Sequence, residues 1–316
     1  MSQVLLETKN LKKYFKVKGG NLHAVDDVNI KINHGATLGV VGESGCGKST
    51  LGRAILRLHE PTGGEVFFDG KNVTKFNKQE LRAFRTQAQI IFQDPYSSLN
   101  PRMSVEEIIS EYMIVNKIYK TSAEARSRTA ELMEIVGLSE RLATVYPHEL
   151  DGGRRQRIGI ARALSVNPKF IVCDEPVSAL DVSIQAQILN LLMDLQRDMG
   201  LTYMFITHDL SVVKHISNEI AVMYLGQCVE TASSKELFKN PRHPYTKALL
   251  AAIPVPDISM RHKEIEIIKG EITSPVNPKP GCRFAMRCPY ASDICNEPQE
   301  LIELSPGHFV ACSKPL

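Results

Sequence analysis

The chain has 316 residues, 43% of them apolar, which supports a sizeable core and excludes a disordered chain. Its 38 Lys and Arg against 35 Asp and Glu leave a formal charge of +3, too little basic excess for a dedicated nucleic-acid binder. No apolar run nears the roughly 18 residues of a membrane span, and the opening MSQVLLETKNLKKYF is too charged for a secretory leader, so the chain reads as cytoplasmic.

Up to about Asn240, short β-branched runs alternate with amphipathic stretches, the rhythm of strands and crossover helices in a parallel α/β sheet. Ala36 to Val41 is predicted as a strand that runs into a glycine-rich turn and then a helix from about Ser49 to Leu58. The turn, Gly42-Glu43-Ser44-Gly45-Cys46-Gly47-Lys48-Ser49, fits G-x-x-x-x-G-K-[ST] in its required strand-to-helix context. Glycines let the backbone wrap phosphates, and successive N–H groups with the positive helix end replace their hydration. Lys48 is expected to reach the outer phosphates and Ser49 to ligate Mg²⁺. Gly42, Ser44, Gly45, Cys46, Gly47 and Thr50 complete the cofactor-binding loop, with Cys46 as a small filler.

From about Ser97 to Pro147 the chain reads as helical, clearest over Val105 to Met113 and Ala123 to Val136, and this stretch looks like an inserted subdomain. A buried strand, Lys169 to Cys173, then ends at Asp174-Glu175. Asp174 can hold Mg²⁺ through water, and Glu175, one residue further, is assigned as catalytic base or water-polarising group. Ile184, Ile188, Leu191, Leu192, Leu195 and Met199 form one helical stripe that Gly200 is placed to end. A third strand, Thr202 to Ile206, stops at Thr207-His208. All three clusters sit at carboxyl ends of strands, where open α/β sheets bind ligands.

Beyond Asn240 lie 11 of the 17 prolines, and four of the seven cysteines follow Gly281, so a loop-rich tail is expected with one short helix over Tyr245 to Ala252, started by Pro244. An odd cysteine count in a reducing compartment argues against a disulfide framework. Cys173 and Cys228 read as core residues. Cys282, Cys288, Cys295 and Cys312 are clustered. Four thiolates suit tetrahedral Zn²⁺ or a [4Fe–4S] cluster, although the gaps exceed the short knuckles of zinc ribbons; four unligated thiols are the other reading.

Taken with IIFQDP, which carries Gln93, GGRRQRIGIARAL from Gly152, SALD ending at Asp181, and ITHD with His208, the chain resembles the ATP-binding cassette of ABC transporters over about Leu5 to Glu230. FQDPYSSLNPRM, NPRHPYTKALLAAIP and the cysteine tail are similar to ATPase subunits of oligopeptide and dipeptide permeases, the tail most of all to the subunit usually lettered F. The resemblance implies a P-loop (RecA-like) α/β cassette at 1–230 with an N-terminal antiparallel β subdomain and a helical subdomain at about 97–157. A small C-terminal extension at 231–316 would follow. It implies an ATPase that powers peptide import, with Gln93 on Mg²⁺ and the attacking water, His208 on the γ-phosphate, and Asp181 at a dimer seam. Phe15, with Tyr14 second, would stack on adenine. Similar tails are associated with an iron–sulfur cluster, so [4Fe–4S] is expected there ahead of Zn²⁺.

In that family each ATP lies between the phosphate loop of one cassette and the Leu-Ser-Gly-Gly-Gln signature of the other. This chain reads Leu150-Asp151-Gly152-Gly153-Arg154. Asp is as good a helix N-cap as Ser. A hydroxyl that donates to the γ-phosphate has, however, become a carboxylate that repels it, with Arg154 as nearby compensation. An asymmetric heterodimer is therefore expected, with the site that borrows Asp151 impaired; a tolerated substitution with normal hydrolysis is the alternative. Implied partners are a second ATP-binding subunit, two transmembrane permease subunits and an extracytoplasmic peptide-binding protein, with no nucleic acid. The chain would sit peripherally on the cytoplasmic face of the membrane. A soluble cassette ATPase acting on ribosomes or DNA is the alternative from another class, and a redox or metal module with secondary ATP turnover is a third.

Overall fold

The computed structural model describes residues 3–253, 270 and 273–316. Its residues divide into two compact units, one of 1–33, 37–75 and 205–316, the other of 34–36 and 76–204.

The first unit begins with a long hairpin of Val4–Val17 and Gly20–Asn33, closed by glycines at positive φ, Gly19 at 101° and Gly20 at 148°. Along the second strand Val28, Ile30 and Ile32 are buried while Asn29 and Lys31 are exposed, the period-2 alternation of a one-sided sheet. Burial of each of those three side chains is worth about 1.5–3 kcal/mol. Gly63–Phe68 and Lys71–Asn72 extend the hairpin into a four-stranded antiparallel sheet.

A second sheet in this unit runs in the order Ile302–Ser305, His308–Val310, Gln227–Ser233, Glu219–Tyr224, Thr37–Val41. Only its last pairing is parallel. The helix after the glycine-rich turn, Lys48–Ile55, stops earlier than expected because Arg57 takes a left-handed φ of 49°. Pro244–Ala251 is helical as anticipated, with Pro244 in its first turn. The tail departs from a purely loop-rich reading. Its two short strands pair with each other around Gly307, at φ 74°, and add to Gln227–Ser233. A buried carboxylate pins them: Glu230 accepts from the Arg242 N–H at 2.7 Å and the His243 N–H at 2.9 Å, and bonds His308 Nε2 at 2.7 Å. Three hydrogen bonds offset the cost of burying that charge.

In the second unit Ala88–Ile91 runs parallel to Phe170–Asp174, and Thr202–Ile206 lies on the other side of the latter. Phe170–Asp174 is buried throughout, which is why it reads as an unbroken apolar run. Helices Val105–Val115 and Ser122–Ile135 each open on a capping box, Ser104 with Glu107 and Thr121 with Glu124. Gly152–Leu164 and Val182–Met199 complete the unit's long helices, and Gly200 ends the second at φ 65°. Among the described residues no helix is long and apolar enough to cross a membrane.

Candidate functional site

In the first unit the phosphate loop leaves the end of Thr37–Val41 and enters the helix at Lys48. Gly42, Gly45 and Gly47 take φ of 149°, 78° and 105°, a backbone that side chains resist. A Cβ on Gly47 would fall 1.9 Å from the Ala24 carbonyl oxygen and one on Gly42 2.1 Å from that of Met223, so the loop is threaded between fixed backbone. Lys48 is buried, and its ammonium donates to the Gly42 and Glu43 carbonyls at 2.8 and 3.0 Å. Cys46 is buried as expected of a filler, and desolvation raises its thiol pKa, which keeps it protonated. Left-handed glycines, a lysine in the loop and a helix N-terminus form a cradle that fits a polyphosphate.

His208 follows strand Thr202–Ile206. It is displayed between Thr207, whose N–H donates to the Val40 carbonyl at 3.2 Å, and Asp209, the N-cap of Leu210–Ile216. Of the two candidate adenine platforms, Tyr14 is otherwise engaged. Its hydroxyl bonds Asp26, and its ring stacks on His23 at 3.8 Å between centroids. Phe15, half-buried, meets His59 edge-on at 5.5 Å and carries the Lys13 ammonium 4.8 Å from its ring centre.

In the second unit Asp174 is buried at the end of its strand, and Glu175 follows at a left-handed φ of 48°. Gln93 Nε2 donates to Glu175 Oε2 at 2.9 Å, so the two side chains assigned to the attacking water meet. Gln93 lies on the segment after Ala88–Ile91, and Arg162 of the helix Gly152–Leu164 holds that segment by donating to the Ser98 carbonyl. Within this unit Asp174 and Gln93 carry the hard oxygen atoms that Mg²⁺ takes.

The same helix begins at Asp151, whose carboxylate accepts from the Arg154 N–H at 2.8 Å, so the departure from Ser preserves the N-cap. Arg154 Nε lies 3.4 Å from Asp151 Oδ2, which places the compensating charge beside the carboxylate. Gly152 and Gly153 face Leu180 and Ile184, and a Cβ on Gly153 would meet Ile184 at 2.8 Å. Asp181 caps Val182–Met199 through the Ile184 N–H at 3.0 Å, and that bond holds its carboxyl below the usual range.

Cys282, Cys288, Cys295 and Cys312 all line one small cavity with His243, Phe284 and Tyr290. Backbone bonds shape it: the Cys282 N–H donates to the Cys295 carbonyl at 2.8 Å and the Lys314 N–H to Cys312 Sγ at 3.4 Å. Burial pushes the Cys282 thiol up to about 11. Among the described residues, however, no group of three or more His, Cys, Asp or Glu side chains is arranged to hold a metal ion. The iron–sulfur expectation therefore gains no support from the geometry. Cys173 and Cys228 are core thiols, as expected.

Sequence reasoning missed the partners of the phosphate loop. Arg287 grips the Glu43 carboxylate with both terminal nitrogens, at 2.9 and 3.1 Å, and the Glu43 N–H donates to the Tyr245 hydroxyl oxygen at 2.9 Å. Arg283 pairs with Asp26. No spacing rule relates residues more than 200 positions apart.

A family model described as ABC transporter matches residues 25–178, and one described as oligopeptide/dipeptide transporter, C-terminal region, matches residues 229–295. The putative oligopeptide transport ATP-binding protein YkfD of Bacillus subtilis (strain 168) is 54% identical over 311 residues, 98% of this chain and 94% of that protein. The oligopeptide transport ATP-binding protein OppF of Escherichia coli (strain K12) is 50% identical over 322 residues, covering 99% and 96%. Among solved structures, a dimeric post-hydrolysis state of the ATP-binding cassette MJ0796 bound to ADP and Pi matches with a TM-score of 0.67 at 31% identity, over 73% of this chain and 99% of that one. The cassette fold expected from the motifs, with its antiparallel β part and helical part, is the fold found.

Proposed function

This chain belongs to the oligopeptide transport ATP-binding proteins of the ABC transporter family, and from that membership we propose that it binds and hydrolyses Mg-ATP to energise uptake of oligopeptides or dipeptides. The observation that carries the reading is that the likeness runs from the phosphate loop through the C-terminal extension, 98% of the chain. The soluble ribosome- or DNA-acting alternative has no support among these relatives.

Hydrolysis of a phosphoanhydride is mostly positioning and charge stabilisation. The loop Gly42 to Thr50 takes the phosphates, and Lys48 exchanges its two loop carbonyls for phosphate oxygens. Ser49, Asp174 and Gln93 would hold Mg²⁺, which would supply positive charge at the outer phosphates. Glu175 polarises the attacking water, oriented by the Gln93 amide; His208 contacts the γ-phosphate and Phe15 the adenine. The chain divides into a cassette at 1–230, with a helical subdomain at about 97–157, and an extension at 231–316; the two separate family matches, 25–178 and 229–295, support the division between cassette and extension.

The chain pairs with a second ATP-binding subunit and docks, through the region of Gln93 to Asn100, on two permease subunits fed by an extracytoplasmic peptide-binding protein. It is peripheral, on the cytoplasmic face of the membrane. In the pair, the site that borrows Asp151 and Arg154 from this chain is the weaker one. In the same reading the four tail thiols would hold a [4Fe–4S] cluster, a proposal that rests on likeness to similar tails alone. Affinity purification from solubilised membranes tests the whole: integral permease subunits and peptide uptake that Lys48→Ala abolishes are expected. Recovery of ribosomes or DNA with unaltered uptake overturns it.

A further inference from the structure

The loop between Cys282 and Cys288 carries two arginines, one bonded to the phosphate loop and the other to the turn beside it. Arg287 holds Glu43 through two parallel hydrogen bonds, with its side chain 7% exposed, and also donates to the Tyr224 hydroxyl at 3.2 Å. Arg283 donates to the Leu225 carbonyl and to Asp26. The turn that Arg283 grips in turn grips the loop, since the Gly226 N–H donates to the Cys46 carbonyl at 2.8 Å and the Asp26 N–H to the Gly226 carbonyl at 2.8 Å. Tyr245, fully buried on the extension's helix Pro244–Ala251, takes the Glu43 N–H. Phe284, between the two arginines, packs on both Tyr224 and Tyr245 at 5.3 Å between ring centres.

We propose that Arg287, Arg283 and Tyr245 are positioning residues for ATP binding: the extension fixes Glu43 and Cys46, the two ends of the loop's central turn, and so sets this chain's affinity for nucleotide. Between Glu43 and Cys46 lie the Ser44 and Gly45 amides, on backbone that includes a left-handed glycine. Such a segment, left to itself, samples many conformations, and ordering it would subtract from the affinity for phosphate. A bidentate arginine is the side chain suited to hold a carboxylate in one orientation, and lysine cannot reproduce that fork. None of the three touches the reacting atoms, so their removal acts on binding ahead of chemistry.

The inference rests on the ATP-binding reading and is tested on the full chain by calorimetric titration with Mg-ATP. Arg287→Met is expected to weaken binding about tenfold, the scale of a lost charge-assisted pair, while Arg287→Lys recovers only part of the loss. In the assembled transporter the same variant raises the KM for ATP and leaves kcat at saturating ATP within about twofold, a split that general destabilisation does not produce. Glu43→Gln lowers affinity to a similar degree, and the double variant is no worse than either single one, because one interaction is removed in each. Affinity within about twofold of the parent in Arg287→Met, or additive losses in the double variant, overturns the proposal. Should Arg287→Met fold poorly, Tyr245→Phe, which removes a single oxygen, carries the same test: about threefold weaker binding is expected, and unchanged binding refutes it. A parent chain that does not bind ATP at all overturns the underlying functional reading instead.

Discussion

Gln93 Nε2 lies 2.9 Å from Glu175 Oε2, so an amide and a carboxylate 82 residues apart form one donor–acceptor pair within a single unit. The carboxylate is presented by a residue at φ 48°, outside the regions where glutamate is at ease, and such strain is typical of groups held for function. Replacing Glu175 by Gln removes the proton acceptor and keeps the shape. Turnover of ATP by the assembled transporter should fall by a factor of about 10² or more while ATP affinity is retained. Turnover within about tenfold of the parent would remove Glu175 from the role of base.

Asp151 separates helix capping from catalysis. Asp151→Ala deletes the acceptor of the Arg154 N–H and should cost about 1 kcal/mol in denaturant unfolding, whereas Asp151→Ser keeps the cap and the stability. If the carboxylate repels γ-phosphate, Asp151→Ser also raises turnover at the site completed by this chain's signature. Unchanged single-site turnover would show that the cassette pair tolerates the substitution.

His243 gives the fold a pH dependence. Burial depresses its pKa to about 4, against about 6.5 in an unfolded chain, and its Nδ1 already accepts the Tyr245 N–H at 3.1 Å. Between those values the unfolded chain binds the extra proton, so stability is full above pH 6.5 and falls as the pH drops through 4. Urea unfolding at pH 7.5 and pH 5 should differ by about 1–2 kcal/mol from this group, and His243→Asn should flatten the slope. An equal slope in that variant would assign the effect elsewhere.

The tail thiols can be tested without measuring ATPase activity. Anaerobically purified protein should contain iron and sulfide and absorb in the visible, and Cys282→Ser with Cys295→Ser should lose both. Metal-free protein offers the contrasting outcome. Its Cys282 thiol, pushed up to about 11, stays protonated at pH 7 and alkylates slowly, then faster as pH rises toward 11. Stoichiometric alkylation of all four thiols in freshly purified protein would eliminate a metal there.

Much of the site was legible because its signals are local. The loop Gly42 to Ser49 announces itself through glycines that must take positive φ and a lysine that opens the next helix, and the strand before Asp174 through the four apolar residues Phe170 to Cys173. Helix ends were less legible. Ser49 to Leu58 became Lys48–Ile55 because Arg57 turned left-handed, which periodicity does not encode. The strands Ile302–Ser305 and His308–Val310 escaped notice since runs of four and three residues are too short to display alternation.

What the sequence by itself determined is the chemistry carried within a few residues of itself: phosphate cradle, Asp174-Glu175 strand end, and an Asp151 cap closed over three positions. Only the tertiary structure decided what those groups lean on. Arg287 reaches Glu43 across 244 residues and His308 reaches Glu230 across 78, and four thiols from separate turns border one cavity. The reason is physical. Local motifs are fixed by backbone geometry at neighbouring positions, whereas a buried ion pair depends on the path of the whole chain and on the desolvation that path imposes.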